Sequence, residues 1–310
     1  MRAVYFERNG GPEVLECTDR PAPTPGEGEV LVDVEAVGIN YRDVYERNGG
    51  GYGSEPPAIV GVEGAGKIHD TGERVAWSGV PGSYAEQVAA PRALLVPIPD
   101  GVDTEVAAGA LLQGMTAHYL AADSYPIEDG DWVIVHAAAG GVGLLLTQIA
   151  KERGGRVIAT TSTEEKAELA RGAGADEVIG YDGFAERAKE ISGAGVAAVY
   201  DGIGKTTFLE GFKALGPAGR MILYGAASGR PDPIDPGMLV AGSWYVQRPT
   251  LGTYARTPEL FRERAGAVFE LIERGKLNVR IGARYPLEQA RQAHEDLEAR
   301  KTTGKLLLIP

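Results

Sequence analysis

Cys17 is the only cysteine in this 310-residue chain, so no disulfide can form within it. A four-cysteine structural metal site is excluded for the same reason. Such scarcity suits a reducing compartment, and the expected location is the cytoplasm. Histidine is nearly as rare, with only His69, His118, His136 and His294, and none stand at metal-ligand spacing. No apolar run approaches the roughly 18 residues of a membrane-spanning helix. The opening MRAVYFERNG has no hydrophobic signal region. Long basic runs are missing too. Lys and Arg total 31 against 43 acidic residues, a net charge of −12. That balance argues against nucleic acid or a membrane as a partner. Neither internal repeats nor low-complexity segments are evident.

Glycine is plentiful, at 44 residues, and one cluster of it is informative. Residues 132–143 read WVIVHAAAGGVG. This is an apolar strand, a glycine-rich turn and the start of a helix. The turn fits the dinucleotide fingerprint with Ala138, Gly140 and Gly143 at its three positions, and Ala139, Gly141 and Val142 between them. In that motif the first position turns the chain, the second admits a pyrophosphate to the backbone, and the third lets helix and strand pack closely. The helix N-terminus favours the phosphate charge. Residues 144–151 continue as a helix with apolar positions 145, 146, 149 and 150. Gly154 and Gly155 end it, and 156–161 form a second β-branched strand. Ser162, Thr163, Glu164 and Glu165 open another helix in a capping-box pattern.

A chain of this length suggests two domains. Residues 1–100 are rich in short β-branched runs (2–6, 14–17, 30–37, 59–60, 74–77, 84–88 and 94–98) cut by Pro and Gly. A helical region at 105–122 is expected to break near Gln113 and Gly114. Strands and helices then alternate to about residue 250: a helix at 164–172, a strand at 177–179, a helix at 184–191, a strand at 196–200, a helix at 205–215, a strand at 219–224 and a last strand within 242–250. That alternation predicts a doubly wound parallel sheet. A helix at 258–274, strands at 281–285 and 305–309, and a helix at 287–299 have no place in it. They are expected to rejoin the β-rich part, which makes the nucleotide domain an insertion.

Several segments carry a family resemblance. They are AVGINYRDVY (36–45), GVEGAG (61–66), GMTA (114–117), His136 to Gly143, YDGIG (200–204), Arg248-Pro249, Ala293-His294 and LEARKTTGK (297–305). Together they resemble the zinc-independent quinone oxidoreductases, related to zeta-crystallin, of the medium-chain dehydrogenase/reductase superfamily. The resemblance implies an α/β fold. A GroES-like β-rich catalytic domain (1–115 and 251–310) would hold an inserted Rossmann domain (116–250). The segment between Gly66 and Arg74 is shorter than family members usually have, a difference expected to change the local surface.

Zinc alcohol dehydrogenases of the superfamily carry Cys after the first Gly-Ile and a Gly-His-Glu motif. Here those positions are Asn40 and Val62, which implies hydride transfer without a metal. An NAD site usually ends its second strand in Asp or Glu, which holds the ribose 2′-OH. Here the strand ends Thr160-Thr161-Ser162, with no carboxylate before Glu164. The cofactor implied is NADPH. In similar enzymes a Ser, a Lys and a later Tyr grip the 2′-phosphate, which carries those roles to Ser162, Lys166 and Tyr181. Ser162 could equally be a helix N-cap, and Lys166 a solvated helix residue.

The remaining contacts rest on the resemblance. Thr116 would approach the nicotinamide, and Asn40 its carboxamide end or the acceptor. Gly225 and Ala226 would pass beneath the cofactor. Tyr245 and the backbone at Val246 would lie near the nicotinamide, with Tyr245 also in the substrate pocket. Lys305 would close the site. For a quinone acceptor the product anion needs only a proton, so no strong acid is required. Tyr45 is the first candidate to hydrogen-bond the acceptor oxygen and Asn40 the second, with Tyr52 lining the pocket. The alternatives are reduction of an α,β-unsaturated carbonyl (2-alkenal, enone or enoyl thioester), or a non-catalytic NADPH-binding structural or sensor protein. A homodimer through the Rossmann-sheet edge, around 239–252, is expected.

Overall fold

The structure, a computed structural model, describes residues 1–51 and 53–310. Tyr52 lies outside them. The chain opens with an antiparallel pair, β1 (Arg2–Phe6) and β2 (Glu16–Asp19). The long strand β3 (Glu29–Ile39) follows, then a helix α1 (Tyr41–Arg47). Next come β4 (Ala58–Ile59), β5 (Glu63–Ile68), β6 (Arg74–Ser78), β7 (Gln87–Pro91) and β8 (Leu95–Pro97). Helix α2 (Thr104–Tyr119) then runs without interruption through Gln113 and Gly114, where a break was expected. A Cβ at Gly114 would lie 2.8 Å from Val268 Cγ1, so this glycine serves close packing and not a break.

Strand β5 is the element that composition conceals. Its sequence, EGAGKI, has poor strand propensity, yet it pairs with both β3 and β6. Its glycines are required by proximity. A Cβ at Gly66 would lie 2.0 Å from the Asp33 carbonyl oxygen, beside the register shift between Val34 and Ala36. A Cβ at Gly64 would meet the Trp77 ring at 2.6 Å. Glycine inside a strand marks such close backbone approach. Trp77 is fully buried there, and its indole N–H donates to Ser83 Oγ at 2.9 Å.

The alternating segment follows as β9 (Trp132–Val135), α3 (Gly141–Glu152), β10 (Arg156–Thr160), α4 (Glu164–Gly172), β11 (Glu177–Ile179), α5 (Phe184–Ser192), β12 (Val196–Asp201), α6 (Phe208–Ala214), β13 (Leu215–Leu223), β14 (Tyr245–Gln247) and α7 (Leu251–Tyr254). All its strand pairs are parallel, in the order β11-β10-β9-β12-β13-β14. The order reverses between β9 and β12, where open α/β sheets hold ligands at the strands' carboxyl ends. Ile134, Ile158, Val199, Met221 and Phe212 fill its core. The chain ends with α8 (Pro258–Glu273), β15 (Ile281–Pro286), α9 (Ala290–Glu298) and β16 (Lys305–Ile309). Strand β16 pairs antiparallel with β3, setting Leu306 opposite Ile39, so the last segments join the first sheet.

Two compact units result, Met1–Met115 with Ala255–Pro310, and Thr116–Tyr254. The second boundary falls at 254 and not 250, because Tyr254 belongs with the alternating unit. Its ring stacks on Tyr119 at 4.4 Å between centroids, and its hydroxyl accepts from Gln247 Nε2 at 2.6 Å. Among the described residues, no helix is long and apolar enough to cross a membrane.

Candidate active site

In the alternating unit, a tight turn joins β9 to α3. Ala137 carries the left-handed backbone, with φ of 51°, and the Gly140 N–H closes the turn on its carbonyl at 2.9 Å. The turning residue is therefore Ala137, one place before the Ala138 expected. Ala138 is buried and its N–H donates to the Thr160 carbonyl. Gly140 caps α3 with no side-chain bond to the helix's first N–H groups. A Cβ at Gly143 would lie 2.4 Å from the Ala137 carbonyl oxygen and 2.7 Å from Ala138 Cα, so only glycine lets α3 sit this close. Ala139 is buried, whereas Gly141 and Val142 are half-buried.

His136 ties the strand ends together. Its Nδ1 lies 2.8 Å from Thr160 Oγ1, and burial holds its pKa below the usual value. Tyr181 reaches over the same turn. Its hydroxyl accepts from the Ala137 N–H at 3.2 Å and donates to the Thr160 carbonyl at 3.4 Å. At the end of β10, Ser162 is exposed and is not the N-cap of α4. Thr163 is, accepting from the Lys166 N–H at 3.3 Å. This matters because the Ser162 hydroxyl is left with no hydrogen bond among the described residues. Lys166 lies in the first helical turn, half-buried.

The loops after β12 and β13 are fixed by a residue given no role above. Asp201 is fully buried, and its carboxylate accepts from the Ile203 and Gly204 N–H groups (2.7 and 3.0 Å) and the Thr207 hydroxyl (2.8 Å). The Tyr224 and Gly225 N–H groups return to the Asp201 carbonyl. A Cβ at Gly225 would lie 2.5 Å from the Gly202 carbonyl oxygen. Gly225 and Ala226 thus sit beside the carboxyl end of β12. Arg248 donates to the Leu223 carbonyl at 3.0 Å, holding the end of β13. Tyr245 does not join these turns. It begins β14 opposite Arg220, short of β13's carboxyl end, and is 58% exposed with Arg220 over its ring. Val246 is also exposed on this edge strand. Thr116, at the unit's start, is buried.

In the first unit, Asn40 ends β3 and caps α1. Its side chain and that of Asp43 form a capping box, the Asn40 N–H donating to Asp43 Oδ2 at 2.9 Å. The Asn40 side chain is held inward, 3% exposed. Its Nδ2 donates to Glu63 Oε2 (2.7 Å) and the Gly38 carbonyl (3.1 Å). Its Oδ1 accepts from Lys305 Nζ at 2.8 Å, and Nζ also donates to Glu63 Oε2 at 2.5 Å. Glu63 Oε1 accepts from the Leu112 N–H of α2 at 2.7 Å. Lys305, expected to close the site, is 1% exposed and braces Asn40. Glu63 stood inside a quoted motif without a role. A lone acid in a glycine strand and a lone lysine opening an apolar strand were the signals.

A second buried network fixes α1. Tyr84 donates to Asp43 Oδ2 at 3.0 Å and lies 3.1 Å from His294 Nε2, and His294 Nδ1 lies 3.2 Å from Arg47. Arg can only donate, so His294 Nδ1 accepts and Nε2–H points at the Tyr84 oxygen. Burial, helped by Arg47, pushes His294 down to about 3. Burial lifts Asp43 to about 6 against the pull of Arg42. Tyr45 is half-buried on α1, its ring edge-on to Tyr41 at 5.3 Å.

Comparisons with known proteins place the chain in a family. Residues 26–100 match the alcohol dehydrogenase GroES-like domain, and 141–266 the zinc-binding dehydrogenase family. A quinone oxidoreductase of Pseudomonas aeruginosa is 41% identical, covering 100% of this chain and 99% of its own. This chain belongs to the zeta-crystallin-like quinone oxidoreductases of the medium-chain dehydrogenase/reductase superfamily. It is an oxidoreductase. A 2-haloacrylate reductase of a Burkholderia species is 36% identical over 100% of this chain and 99% of its own. The solved structure of a mycobacterial protein complexed with NADPH superposes with a TM-score of 0.97 at 46% identity, covering 100% of both chains. The zinc of the matched dehydrogenase family does not fit this chain. The two positions that the zinc branch fills with Cys and His carry Asn40 and Val62, neither of which supplies a thiolate or imidazole ligand.

Proposed function

We propose that this protein transfers a hydride from NADPH to a quinone without a metal. The NADPH assignment rests on the end of β10, where no carboxylate stands to take a ribose hydroxyl. Ser162 offers an unengaged hydroxyl and Lys166 a cation, the pair a 2′-phosphate needs. The NADPH complex of the mycobacterial relative supports it. Tyr181, its proton already directed at Thr160, contributes by shaping the turn. Ala138 to Gly143 would take the pyrophosphate at the N-terminus of α3, with Gly225 and Ala226 beneath the cofactor and Thr116 toward its nicotinamide.

Bound NADPH supplies the hydride. Tyr45 is the residue proposed to donate a hydrogen bond to the acceptor oxygen as charge develops there. Asn40 does not share that task, because both its N–H bonds are engaged by Glu63 and Gly38. Nothing else in the first unit has to supply a strong acid, since a hydroquinone anion is protonated readily. The deciding experiment is a steady-state screen of NADPH and NADH against quinones and enones. NADPH oxidation by 1,4-benzoquinone or 9,10-phenanthrenequinone, with a KM well below that for NADH, is expected. No turnover with quinones beside rapid turnover of 2-alkenals would shift the assignment to a reductase of activated alkenes, the reading the 2-haloacrylate reductase favours. Tyr245, Val246 and Val240, exposed at the open edge of β14 and before it, are the surface through which two copies would pair. Sedimentation at several concentrations tests that.

A further inference from the structure

Helix α1 has seven residues. In water a helix of fewer than about 12 is marginal, so its neighbours must hold it. One face is fastened by a closed circuit of buried polar groups. Asp43 and Arg47 stand one turn apart on that face. Two side chains from distant segments bridge them. Tyr84 donates to Asp43, while His294 of α9 gives its Nε2–H to the Tyr84 oxygen and takes an Arg47 N–H at Nδ1. Arg47 also donates from Nε to the Gly10 carbonyl, and its own carbonyl accepts from the Gly10 N–H, each at 3.1 Å. The directions are forced, because arginine only donates and an ionised carboxylate only accepts. His294, held down at about 3, stays neutral and keeps its lone pair for Arg47. The Tyr84 ring fits only against a glycine: a Cβ at Gly61 would lie 2.0 Å from Tyr84 Cδ1, and φ there is 92°.

At about 100° per residue, positions 41 and 45 fall nearly opposite 43 and 47. The anchored face therefore lies behind the one that carries the edge-on pair Tyr41 and Tyr45. Turning α1 by about 10° would move a group about 6 Å from its axis through about 1 Å. A misplacement of that size is costly to a reaction. Fully bonded buried networks hold one arrangement where apolar packing tolerates several. We propose that His294, bridging Tyr84 and Arg47, is a positioning residue that sets the rotation of α1 and with it the place of the Tyr45 hydroxyl. The role rests on the reading of Tyr45 as the acceptor's hydrogen-bond donor. His294 is buried with both nitrogens engaged, so it acts through its neighbours and not on the acceptor.

A double-mutant cycle on the full-length protein tests it, with NADPH and 1,4-benzoquinone. His294→Leu removes both bonds and should lower kcat at least about 10-fold with the NADPH Kd unchanged. His294→Gln keeps one acceptor and one donor and should restore most of that loss. With Tyr45→Phe already present, His294→Leu should change kcat by less than about twofold, because no hydroxyl is left to misplace. Tyr84→Phe, which deletes a single hydroxyl, repeats the cycle if His294→Leu does not fold. The same fold-loss in both backgrounds, or no loss in a folded variant, overturns the proposal. A purely structural role would lower Tm and multiply in that way. Carbon-13 NMR of protein labelled at tyrosine Cζ reads position without turnover. The Tyr45 signal, assigned by its loss in Tyr45→Phe, should move in His294→Leu and Tyr84→Phe and return in His294→Gln, while that of Tyr245 stays. Wild-type kcat in Tyr45→Phe removes the donor reading of Tyr45 alone. An unmoved Tyr45 signal overturns the positioning.

Discussion

Lys305→Met removes the cation from a carboxylate that has no exposure to water. Glu63 would keep the Leu112 and Asn40 N–H bonds but lose the one cation paired with it among the described residues. Breaking a buried pair from one side costs about 3–5 kcal/mol, because a lone charge stays buried. For a unit of this size each kcal/mol moves Tm by about 2–4 °C, so a fall of about 6–20 °C is expected. Adding Glu63→Gln removes that lone charge. The double variant should recover most of the loss and lie within about 2 kcal/mol of wild type. The sign with pH follows. A buried carboxylate without a cation takes up a proton more readily when folded than when unfolded. Stability then falls as pH rises through that interval, so the K305M deficit should be smallest near pH 4 and full at neutrality. Thermal unfolding of the three proteins from pH 4 to 8 measures all of this. Equal losses in the single and double variants at every pH would refute the argument.

Three further outcomes follow from the geometry. Tyr45→Phe should lower kcat at least about 10-fold with the NADPH Kd unchanged, since a hydrogen bond to developing charge acts mainly in the transition state; an unchanged kcat removes Tyr45 from the mechanism. Lys166→Ala should weaken NADPH much more than NADH, and added salt should narrow the gap; equal weakening refutes the 2′-phosphate assignment. Asp43, lifted to about 6 among Arg42, Glu46 and Tyr84, keeps a proton when folded that it releases when unfolded above about pH 4. It therefore costs stability above pH 6 and nothing below pH 4, roughly, and Asp43→Asn should gain on wild type across that window by on the order of 3 kcal/mol. Parallel urea midpoints for the two proteins from pH 4 to 7 would contradict this.

The alternating unit was largely legible because its signals are local. The fingerprint, the helix positions 145, 146, 149 and 150 and the parallel strands lie within short windows, and the structure buries those helix positions as the pattern requires. What stayed hidden was set by distant atoms. β5 looks like a loop until Asp33 and Trp77 are placed against its glycines. Gly114 looks like a helix break until Val268 packs on it. Ser162 and Thr163 are equally good caps by type, and only the geometry shows that Thr163 takes the task. The site divided the same way. The glycine turn after β9 and the end of β10 without a carboxylate could be read from local sequence, whereas the bond from Lys305 to Glu63 joins residues 242 positions apart and no local pattern announces it.

The pairing of β16 with β3 also orders events during synthesis. Asn40 and Lys305, 265 positions apart, meet only after the whole alternating unit has left the ribosome. That unit is continuous in the chain and its pairings are comparatively local, so it is expected to fold first. Until β16 arrives, the edge of β3 toward Ile39 stays open, and an open edge is a template for wrong partners. The inserted unit is thus also a delay in time. The strand that completes Asn40's surroundings is also the one that closes this edge of β3.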